Sequence, residues 1–430
     1  MSSRSKNEDR LSSLPEEILS HILSLMPTSF AVRTSILSKR WKYSWTLVTN
    51  LDLNDYYLGF DFKCFSEFVD RVLEHCKTSQ LQSFRLGLFR TSVQKSDVAK
   101  WINEAIRLNV SEVDIQVRKI GLPLSLFTCK TLTKLRLAGS TFDDSDVFNG
   151  QSPVVMLPGL ETLDLNVSRI SCVNLFRFIH GCPVLESLSL EILWPDDEVD
   201  YNFNIPTLKR LELRMSSLYT SKVVLNVPNL EYLCVGEDLC PHFVMKDLSS
   251  LVEAAVFFNG GLIDYRQKVE LLKGLSGVKS LSLFTSTFNE FVHSHLPKFL
   301  NLKHLELKDS FKSPWILVSQ ILESSPELEH LCFEEPEDSS WIEPQSVPTC
   351  LVSNLKTMKI TKCKGRSCDI QFLKYILGNA EVLKTITIIR GSLRMKDEME
   401  MCARLLKFPR ASRFCEIHFV GKWLYSSTGN

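Results

Sequence analysis

The residues of this sequence that could do chemistry are a few histidines, cysteines and neighbouring carboxylates. The triplet His293–His295 puts two imidazoles on one side of an extended segment, but no third metal ligand accompanies them. Cys363 with Cys368, and Cys240 with His242, lack the second correctly spaced pair that a structural zinc site requires. Exposed polar sequence and buried thiols explain these residues better than a metal site does, so no cofactor is expected.

The sequence also lacks the short motifs on which common catalytic sites depend. It contains no GxSxG nucleophile elbow, no P-loop, no GxGxxG and no HExxH. Glu334 and Glu335 are adjacent, but they fall where a predicted strand ends, a place where acidic residues are common. We therefore expect a protein that is not an enzyme.

Composition narrows the class of partner. Apolar residues make up 44% and charged residues 23% of the chain, as in a folded protein rather than a disordered one. The 50 acidic and 50 basic residues balance, so no overall field points to nucleic acid or to a membrane. The basic stretch SKRWKYSW adds only Lys39, Arg40 and Lys42, which a solvated helix face explains.

Cysteine usage and the N-terminus bear on the compartment. The thirteen cysteines are scattered without a CxxC pair, as expected for reduced thiols. The N-terminal residues lack the apolar region of a secretory signal, and no run is long enough to span a membrane. We therefore expect localisation in the nucleus and/or cytoplasm.

A repeat that fills most of the chain must supply the elements that position any binding residues. Copies of the pattern L-x-x-L-x-L, such as LTKLRL from Leu132, recur with successive starts 21 to 29 residues apart from Leu81 onward. This spacing is typical of leucine-rich repeats. The other copies begin at Leu160, Leu185, Leu208, Leu230, Leu251, Val278, Leu302, Leu328, Leu355 and Leu383, with weaker ones at Val48, Leu81 and Val110.

Each copy predicts a short strand followed by a turn and a helix. The alternation within L-x-L indicates one buried strand face, and stretches such as VNLFRFIHGCPVLE and ILVSQILESSPELE have helical apolar spacing. Such units stack into a solenoid with parallel strands on the concave side and helices on the convex side. Position nine is mostly a small hydrogen-bonding residue: Ser140, Ser168, Ser216, Asp238, Asn259, Ser286, Ser310 or Cys363. Leu193 and Pro336 interrupt it, so we expect an irregular solenoid.

The alternation also predicts which side chains line the concave face. They are Arg136, Ser187, Ser189, Arg210, Glu212, Arg214, Tyr232, His304, Glu306, Lys308, His330, Lys359 and Thr361. Solenoids use such surfaces to bind partners, although for any single residue an ordinary solvated sheet face is the simpler explanation. We predict target-binding residues among Arg136, Arg210, Arg214, Tyr232, His304 and His330.

The N-terminal segment over residues 11–45 is too apolar for its size. Three helices are predicted, the first capped by Ser13 with Glu16 completing a capping box and ending near Met26, and the last following Ser38. Three helices within about 40 residues cannot bury a self-sufficient core. They must pack wholly on the first repeat or present part of their surface to a partner helix, and the physics of the sequence leaves both open.

The segment LSSLPEEILSHILSLMPTSFAVRTSILSKRWKYSW closely resembles an F-box. Its LPEEIL opening, its AVRTSILSKRW core and its tryptophan-containing end match in order and spacing. F-boxes bind the Skp-type adaptor of Skp–cullin–F-box (SCF) ubiquitin ligases, so the resemblance implies that adaptor and, through it, a cullin as partners. It implies adaptor contacts at Leu14, Pro15, Ile18, Leu19, Ile22, Val32, Leu37 and Trp41, although some of these must instead hold the helices together.

A C-terminal stretch resembles a second family segment. WIEPQSVPTCLVSNLKTMKI followed by FLKYILGNAEVLKTITI is similar to the FBD domain found after leucine-rich repeats in plant F-box proteins. A last helix near residues 396–408 and a strand from Cys415 are predicted to close the solenoid. The expected architecture is α/β, with a three-helix F-box over residues 9–47, an irregular leucine-rich-repeat solenoid over 48–335 and an FBD region over 336–422.

These features predict the substrate-recognition subunit of an SCF-type E3 ubiquitin ligase, whose F-box docks on the adaptor while the repeats bind an unknown target protein. One alternative is a protein-interaction module that acts outside ubiquitination. The other is a small-molecule receptor, since some plant F-box solenoids bind a hormone with an inositol phosphate cofactor. That receptor would need a basic pocket, for which Arg136, Arg210 and Arg214 are candidates although Glu212 lies among them.

Overall fold

The computed structural model describes most of the chain: residues 11, 13–56, 62–90, 93–117, 119–120, 122–139, 141–142, 155–193, 199–215, 222–236, 242–257, 265–284, 296–308, 315–334, 341–391 and 395–420. Two compact units divide it, Met1–Asp196 and Asp197–Asn430. Within the described residues, every helix is too short or too polar to cross a bilayer. Several residues singled out in the sequence lie outside the described part: Ser140, Ser216, Asp238, Cys240, Asn259, Ser286, His293, His295, Ser310, Glu335 and Pro336.

The first unit begins with three short helices and two 3-10 turns: α1 (Glu16–Ser24), α2 (Thr28–Arg33), a turn at Thr34–Ile36, α3 (Trp41–Ser44) and a turn at Trp45–Leu47. The three predicted helices are present, but the capping box predicted at Ser13 does not start the first one. Pro15 occupies the N-cap position and provides no side-chain cap. Glu16 and Glu17 instead lie in the first turn of α1, where a negative charge complements the helix dipole.

The rest of the first unit alternates strands with helices: β1 (Asn50–Asn54), α4 (Phe62–His75), β2 (Ser83–Leu88), α5 (Lys95–Arg107), β3 (Glu112–Val117), β4 (Lys119–Ile120), a 3-10 turn (Leu124–Thr128), β5 (Lys134–Gly139), β6 (Thr141–Phe142), β7 (Thr162–Val167), α6 (Cys172–His180) and β8 (Ser187–Ile192). Strands β1, β2, β3, β5, β7 and β8 pair in parallel in that order. The two-residue strands β4 and β6 pair separately.

The second unit follows the same plan: β9 (Tyr201–Asn204), β10 (Arg210–Met215), β11 (Lys222–Asn226), β12 (Tyr232–Gly236), β13 (His242–Asp247), β14 (Glu253–Phe257), α7 (Tyr265–Gly274), β15 (Ser280–Phe284), β16 (His304–Lys308), α8 (Trp315–Ser324), β17 (His330–Glu334), α9 (Thr349–Ser353), β18 (Thr357–Cys363), α10 (Ser367–Asn379), β19 (Thr385–Arg390), α11 (Met395–Leu405) and β20 (Glu416–Val420). Its main sheet is parallel, in the order β10-β12-β14-β15-β16-β17-β18-β19-β20.

Every copy of the leucine pattern forms a strand that begins two residues after the first position of the pattern. In β7, for example, the inward side chains of Leu163 and Leu165 are fully buried, while the outward Asp164 between them is half-buried. This alternation arises because successive side chains of a strand point to opposite faces. The predicted leucine-rich-repeat solenoid of parallel strands is confirmed.

Three segments of the second unit form strands where the sequence predicts helices. Strands β9, β11 and β13 form a second parallel sheet, and Tyr201, Phe203 and Val223 are fully buried in it. The repeat starts at 185, 208, 230 and 251 are only 21 to 23 residues apart. A strand advances about 3.3 Å per residue and a helix about 1.5 Å, so a strand covers the same distance with fewer residues.

The C-terminal stretch continues the solenoid. Strands β18, β19 and β20 extend the parallel sheet, and α11 and β20 match the helix and strand predicted near residues 396–408 and from Cys415. An aromatic cluster joins it to the repeat before it, because the ring centroid of Trp341 lies 5.6 Å from that of Trp315 on α8 and 4.9 Å from that of Phe372 on α10. The last repeat and the C-terminal stretch therefore share one core.

Candidate protein-binding surfaces

Helix α1 carries two apolar stripes that face in different directions. Leu19 and Leu23 are 0% and 1% exposed, so they form the core of the helical module. Ile18 and Leu25 are 47% and 71% exposed, and Ile22 between them is half-buried. Because a helix places residues i, i+4 and i+7 on one side, Ile18, Ile22 and Leu25 form one continuous stripe, the α1 outer stripe.

Exposure sorts the eight predicted adaptor residues into three groups. The buried ones are Leu19 and Trp41; the half-buried ones are Leu14, Ile22 and Val32; the exposed ones are Pro15, Ile18 and Leu37. The two buried residues hold the helices together. Adaptor contact by the other six stays a prediction.

The sequence interpretation missed other accessible apolar side chains of the same module. Leu11 is 59% exposed, Ile36 is 87% exposed and Tyr43 is 58% exposed. The Arg40 guanidinium donates a hydrogen bond to the carbonyl of Leu14, which ties the segment before α1 to the segment before α3. The signal in the sequence was weak, because single exposed apolar side chains are common on protein surfaces.

Two hydroxyl groups fix the helical module to the first strand of the sheet and to the residue before it. Ser24 Oγ accepts a hydrogen bond from the backbone N–H of Thr49 at 3.1 Å, and Thr28 Oγ1 accepts one from the N–H of Asp52 at 2.8 Å. Thr28 is 1% exposed, so its bond to β1 is shielded from water. One side of the module therefore packs on the first repeat while the α1 outer stripe is exposed, so the module does not pack wholly on the repeat. Binding of a partner by the exposed stripe stays a prediction.

Five charged residues line up on the open face of the first unit's sheet, the face that carries the outward L-x-L positions. Strand register places Asp52, Arg85, Asp114, Arg136 and Asp164 side by side. Arg85 Nε lies 3.1 Å from Asp114 Oδ2, and its Nη1 lies 3.8 Å from Asp52 Oδ2. Arg136 Nε lies 3.1 Å from Asp164 Oδ2, and its Nη1 lies 4.0 Å from Asp114 Oδ2. We call this row the aspartate–arginine ladder.

The ladder changes the interpretation of Arg136. Its guanidinium lies between two carboxylates, so its charge is neutralised within the fold. At the first rung, burial raises the pKa of Asp52 against the opposing effect of Arg85. An anionic ligand would have to displace these carboxylates, so the small-molecule alternative loses one of its three candidate cations.

The same holds for Arg210 on the open face of the second unit. Its Nε and Nη2 donate to Glu212 Oε1 at 3.1 and 2.8 Å. Its guanidinium carbon stacks 3.7 Å from the ring centroid of Tyr232. Burial is the main reason that the pKa of Tyr232 is raised to about 12, so this phenol stays protonated. Arg210 and Tyr232 form one packed unit rather than a free cation beside a ring.

His304 and His330 are brought together on neighbouring strands. Their rings stack with centroids 4.5 Å apart and planes at 20°, and His330 Nδ1 lies 2.7 Å from Thr357 Oγ1. Burial and the neighbouring His304 both lower the pKa of His330. The two imidazoles therefore form one stacked surface, in which His330 is also hydrogen-bonded to Thr357.

Two further aromatic residues of this face were missed. Phe257 and Phe284 are the last residues of β14 and β15, and their rings stack with centroids 3.8 Å apart and planes at 19°. Both occupy the outward position seven of their repeats, where the pattern predicts a polar residue. The stretches LVEAAVF and VKSLSLF carried this signal, because neighbouring repeats place a large apolar residue at the same outward position.

The part of the chain that the structure describes offers no group of three histidine, cysteine or carboxylate side chains that could hold a metal ion. The described cysteines are not in disulfide bonds, and Cys363 and Cys368 are both buried. Burial raises the pKa of Cys182 and Cys350 to about 12. These two thiols are therefore protonated at neutral pH and poor nucleophiles.

An anchored helical module with an exposed apolar stripe, followed by leucine-rich repeats whose open face carries charged and aromatic side chains, defines a protein-interaction adaptor. Comparison with protein families gives the same division. The F-box domain model matches residues 11–52. The model for the leucine-rich repeats of FBD-associated F-box protein At5g56370 matches residues 98–255, and the FBD model matches residues 343–388.

Similar proteins cover nearly the whole chain. F-box/FBD/LRR-repeat protein At4g26340 of Arabidopsis thaliana is 31% identical over 96% of this chain and 100% of its own length. FBD-associated F-box protein At4g10400 of the same plant is 32% identical over 96% of this chain and 100% of its own length. The chain therefore belongs to the F-box/FBD/LRR-repeat family. It is an F-box-type interaction adaptor, and its F-box domain implies a Skp-type adaptor as a partner. The exact domain boundaries predicted from the sequence stay predictions.

Proposed function

We propose that this protein is the substrate-recognition subunit of an SCF-type E3 ubiquitin ligase. The F-box docks on a Skp-type adaptor and, through it, on a cullin, while the leucine-rich repeats bind the target protein. The protein contributes position rather than chemistry, because holding a target beside the ubiquitin-loaded enzyme raises the effective concentration of the target's lysines. It acts in the nucleus and/or cytoplasm, which imaging of a fluorescent fusion tests.

The observation that carries this proposal is the α1 outer stripe. Helix α1 already buries Leu19 and Leu23, so its own fold accounts for one stripe only. Ile18, Ile22 and Leu25 keep apolar surface in water, which costs about 25 cal/mol per Å² relative to burial. Contiguous exposed apolar surface of this kind marks an interaction site, and a partner that covers the stripe recovers that free energy.

Co-purification with a Skp-type adaptor tests the proposal. The double variant Ile18→Asp, Leu37→Asp puts two charges on side chains that are 47% and 66% exposed, so it should abolish adaptor binding while the fold persists. Leu124→Asp is the matched control, because this leucine is 57% exposed in the same unit but lies outside the helical module.

The outcomes separate the proposal from its alternative. Loss of adaptor and cullin in the double variant but not in the control is the expected result. Equal recovery of the adaptor with the wild type and the double variant would refute docking through Ile18 of the outer stripe and through Leu37. Adaptor binding without ubiquitin transfer to any captured target would instead support an interaction module that acts outside ubiquitination.

A further inference from the structure

A row of side chains at position seven of five consecutive strands forms a second apolar feature on the open face of the second unit. It consists of Arg214 on β10, Gly236 on β12, Phe257 on β14, Phe284 on β15 and Lys308 on β16. We call it the aromatic row. It lies at the C-terminal ends of these strands, one outward position beyond Glu212, Cys234 and Glu306.

The aromatic row is built by close contacts between its own members. The rings of Phe257 and Phe284 stack at 3.8 Å, Lys308 Nζ lies 5.2 Å from the centroid of Phe284, and the guanidinium carbon of Arg214 lies 6.0 Å from that of Phe257. Arg214 and Phe257 can approach across an intervening strand because that strand has glycine at this position. A Cβ on Gly236 would lie 3.0 Å from Cβ of Phe257.

The needs of the core do not explain why aromatic residues occupy these two outward positions. The inward neighbours Val256 and Leu283 are 1% and 3% exposed and supply the core contacts of their strands. Phe257 and Phe284 are only half-buried, although they stack on each other. Large aromatic residues beside arginine are the composition of binding hot spots, because rigid rings bury much area at little entropic cost.

The charges beside the row favour one chemistry of partner. Arg210 is paired with Glu212, and Lys308 Nζ lies 3.0 Å from Glu306 Oε2. Arg214, in contrast, makes no ion pair with a carboxylate among the described residues; its contact is with the ring of Phe257. A half-buried guanidinium without a carboxylate partner gains most from an incoming carboxylate, since charge-assisted hydrogen bonds are the strong ones.

We propose that the aromatic row is the anchor site for the target and that it binds a protein segment presenting an aromatic or large aliphatic side chain next to a carboxylate. The apolar side chain packs on the Phe257–Phe284 pair, and the carboxylate pairs with Arg214. The inference rests on the proposed function, because it names the chemistry of the target that the repeats would hold.

A random peptide library selected on the full-length protein, without the adaptor, tests this chemistry. The selected peptides should carry Asp or Glu within one or two residues of an aromatic or large aliphatic residue. Synthetic peptides with Trp flanked by Asp, and matched peptides with Asn or Lys in place of Asp, then serve as probes. Affinity should fall in the order Asp, Asn, Lys.

Variants of the row locate the site. The double variant Phe257→Ala, Phe284→Ala should lower the affinity for the Asp-flanked peptide by about 30-fold or more, the loss typical of hot-spot residues. Thr385→Ala with Thr387→Ala is the matched control at outward positions of the same sheet, and it should leave affinity unchanged. Arg214→Glu should reverse the order of the Asp and Lys peptides, and this reversal can be read even if the double phenylalanine variant fails to fold.

Each result decides the inference independently of the ligase role. A library that selects no peptide, selected peptides without the acidic-aromatic pairing, or full binding by the phenylalanine double variant would overturn it. Adaptor binding should be unchanged in the Phe257 and Phe284 variant, and peptide binding should be unchanged in the Ile18→Asp, Leu37→Asp variant. Failure of adaptor binding in the wild type would refute the ligase proposal while leaving the peptide result intact.

Discussion

Trp341 should stabilise the packing of the last leucine-rich repeat against the FBD region. Its side chain is 9% exposed and touches aromatic rings from both sides: Trp315 of the preceding repeat at 5.6 Å, and Phe372 and Tyr375 of α10 at 4.9 and 5.7 Å between ring centroids. Trp315 itself is fully buried. Replacing Trp341 with alanine would remove these ring contacts and leave a cavity between α8 and α10.

The magnitude follows from this burial. Truncating a buried tryptophan to alanine costs about 3–5 kcal/mol of unfolding free energy. For a domain of this size each kcal/mol lowers the melting temperature by about 2–4 °C, so Trp341→Ala should lower that of the second unit by about 6–20 °C. Trp341→Phe should cost less, because it keeps a ring and removes an indole N–H that has no hydrogen-bond partner among the described residues.

Hydrogen exchange distinguishes a shared core from two separate domains. If the FBD region and the repeats unfold together, Trp341→Ala should accelerate exchange in β16 and β17 as well as in β18 and β19. A double-mutant cycle with Trp315→Ala should show a coupling of about 0.5–1.5 kcal/mol, the value typical of aromatic pairs. Faster exchange confined to residues 343–388, with β16 and β17 unchanged, would refute the shared core.

Three further predictions concern single side chains. Leu19→Ala should cost about 2–5 kcal/mol of unfolding free energy because Leu19 is fully buried; a cost under about 0.5 kcal/mol, typical of surface sites, would contradict its core role. Two lysine partners lower the pKa of Glu329 to about 2 from an ordinary 4.5. Its ionised form therefore stabilises the fold above pH 4.5, and this is lost as the pH falls toward 2. Glu329→Gln should lower the urea midpoint of unfolding at pH 6. A difference in midpoint between wild type and variant that is as large at pH 3 as at pH 6 would contradict this. His304→Ala should raise the pKa of His330, measured by NMR titration, because it removes a neighbouring imidazole and part of the burial; an unchanged pKa would contradict it.

The positions of the strands could be predicted because a strand with one buried face leaves a local pattern. Leu163 and Leu165 are two residues apart and both fully buried, and the same relation recurs in each repeat. The replacement of helices by β9, β11 and β13 could not be predicted from that pattern. One cause is the short stretch of chain between successive strands. The other is that two buried residues, such as Tyr201 and Phe203, are too few to show whether their segment has the spacing of a strand or of a helix.

The candidate sites were harder to predict than the fold because they depend on register and on neighbouring elements. Ile18 and Leu19 are both apolar and adjacent, and only the packing of α1 on α2 and α3 shows that one is exposed and the other buried. Arg136 was a candidate because it is charged and outward. Its partners Asp114 and Asp164 belong to other repeats, so the sequence shows their proximity only once strand register is known.

Outward residues of a repeat protein can be sorted into structural and binding residues by whether the fold itself supplies their partner. Folding constrains the inward positions to be apolar and leaves the outward ones free, so a charged outward residue that meets its counter-charge, as Arg136 does, is already explained within the fold. An apolar outward residue has no such explanation, because exposing it to water is unfavourable. Ile18, Leu25, Phe257 and Phe284 all meet this condition in different parts of the chain. We therefore expect the target to bind at the stacked phenylalanines rather than at the paired arginines, and Arg214 to orient the bound segment.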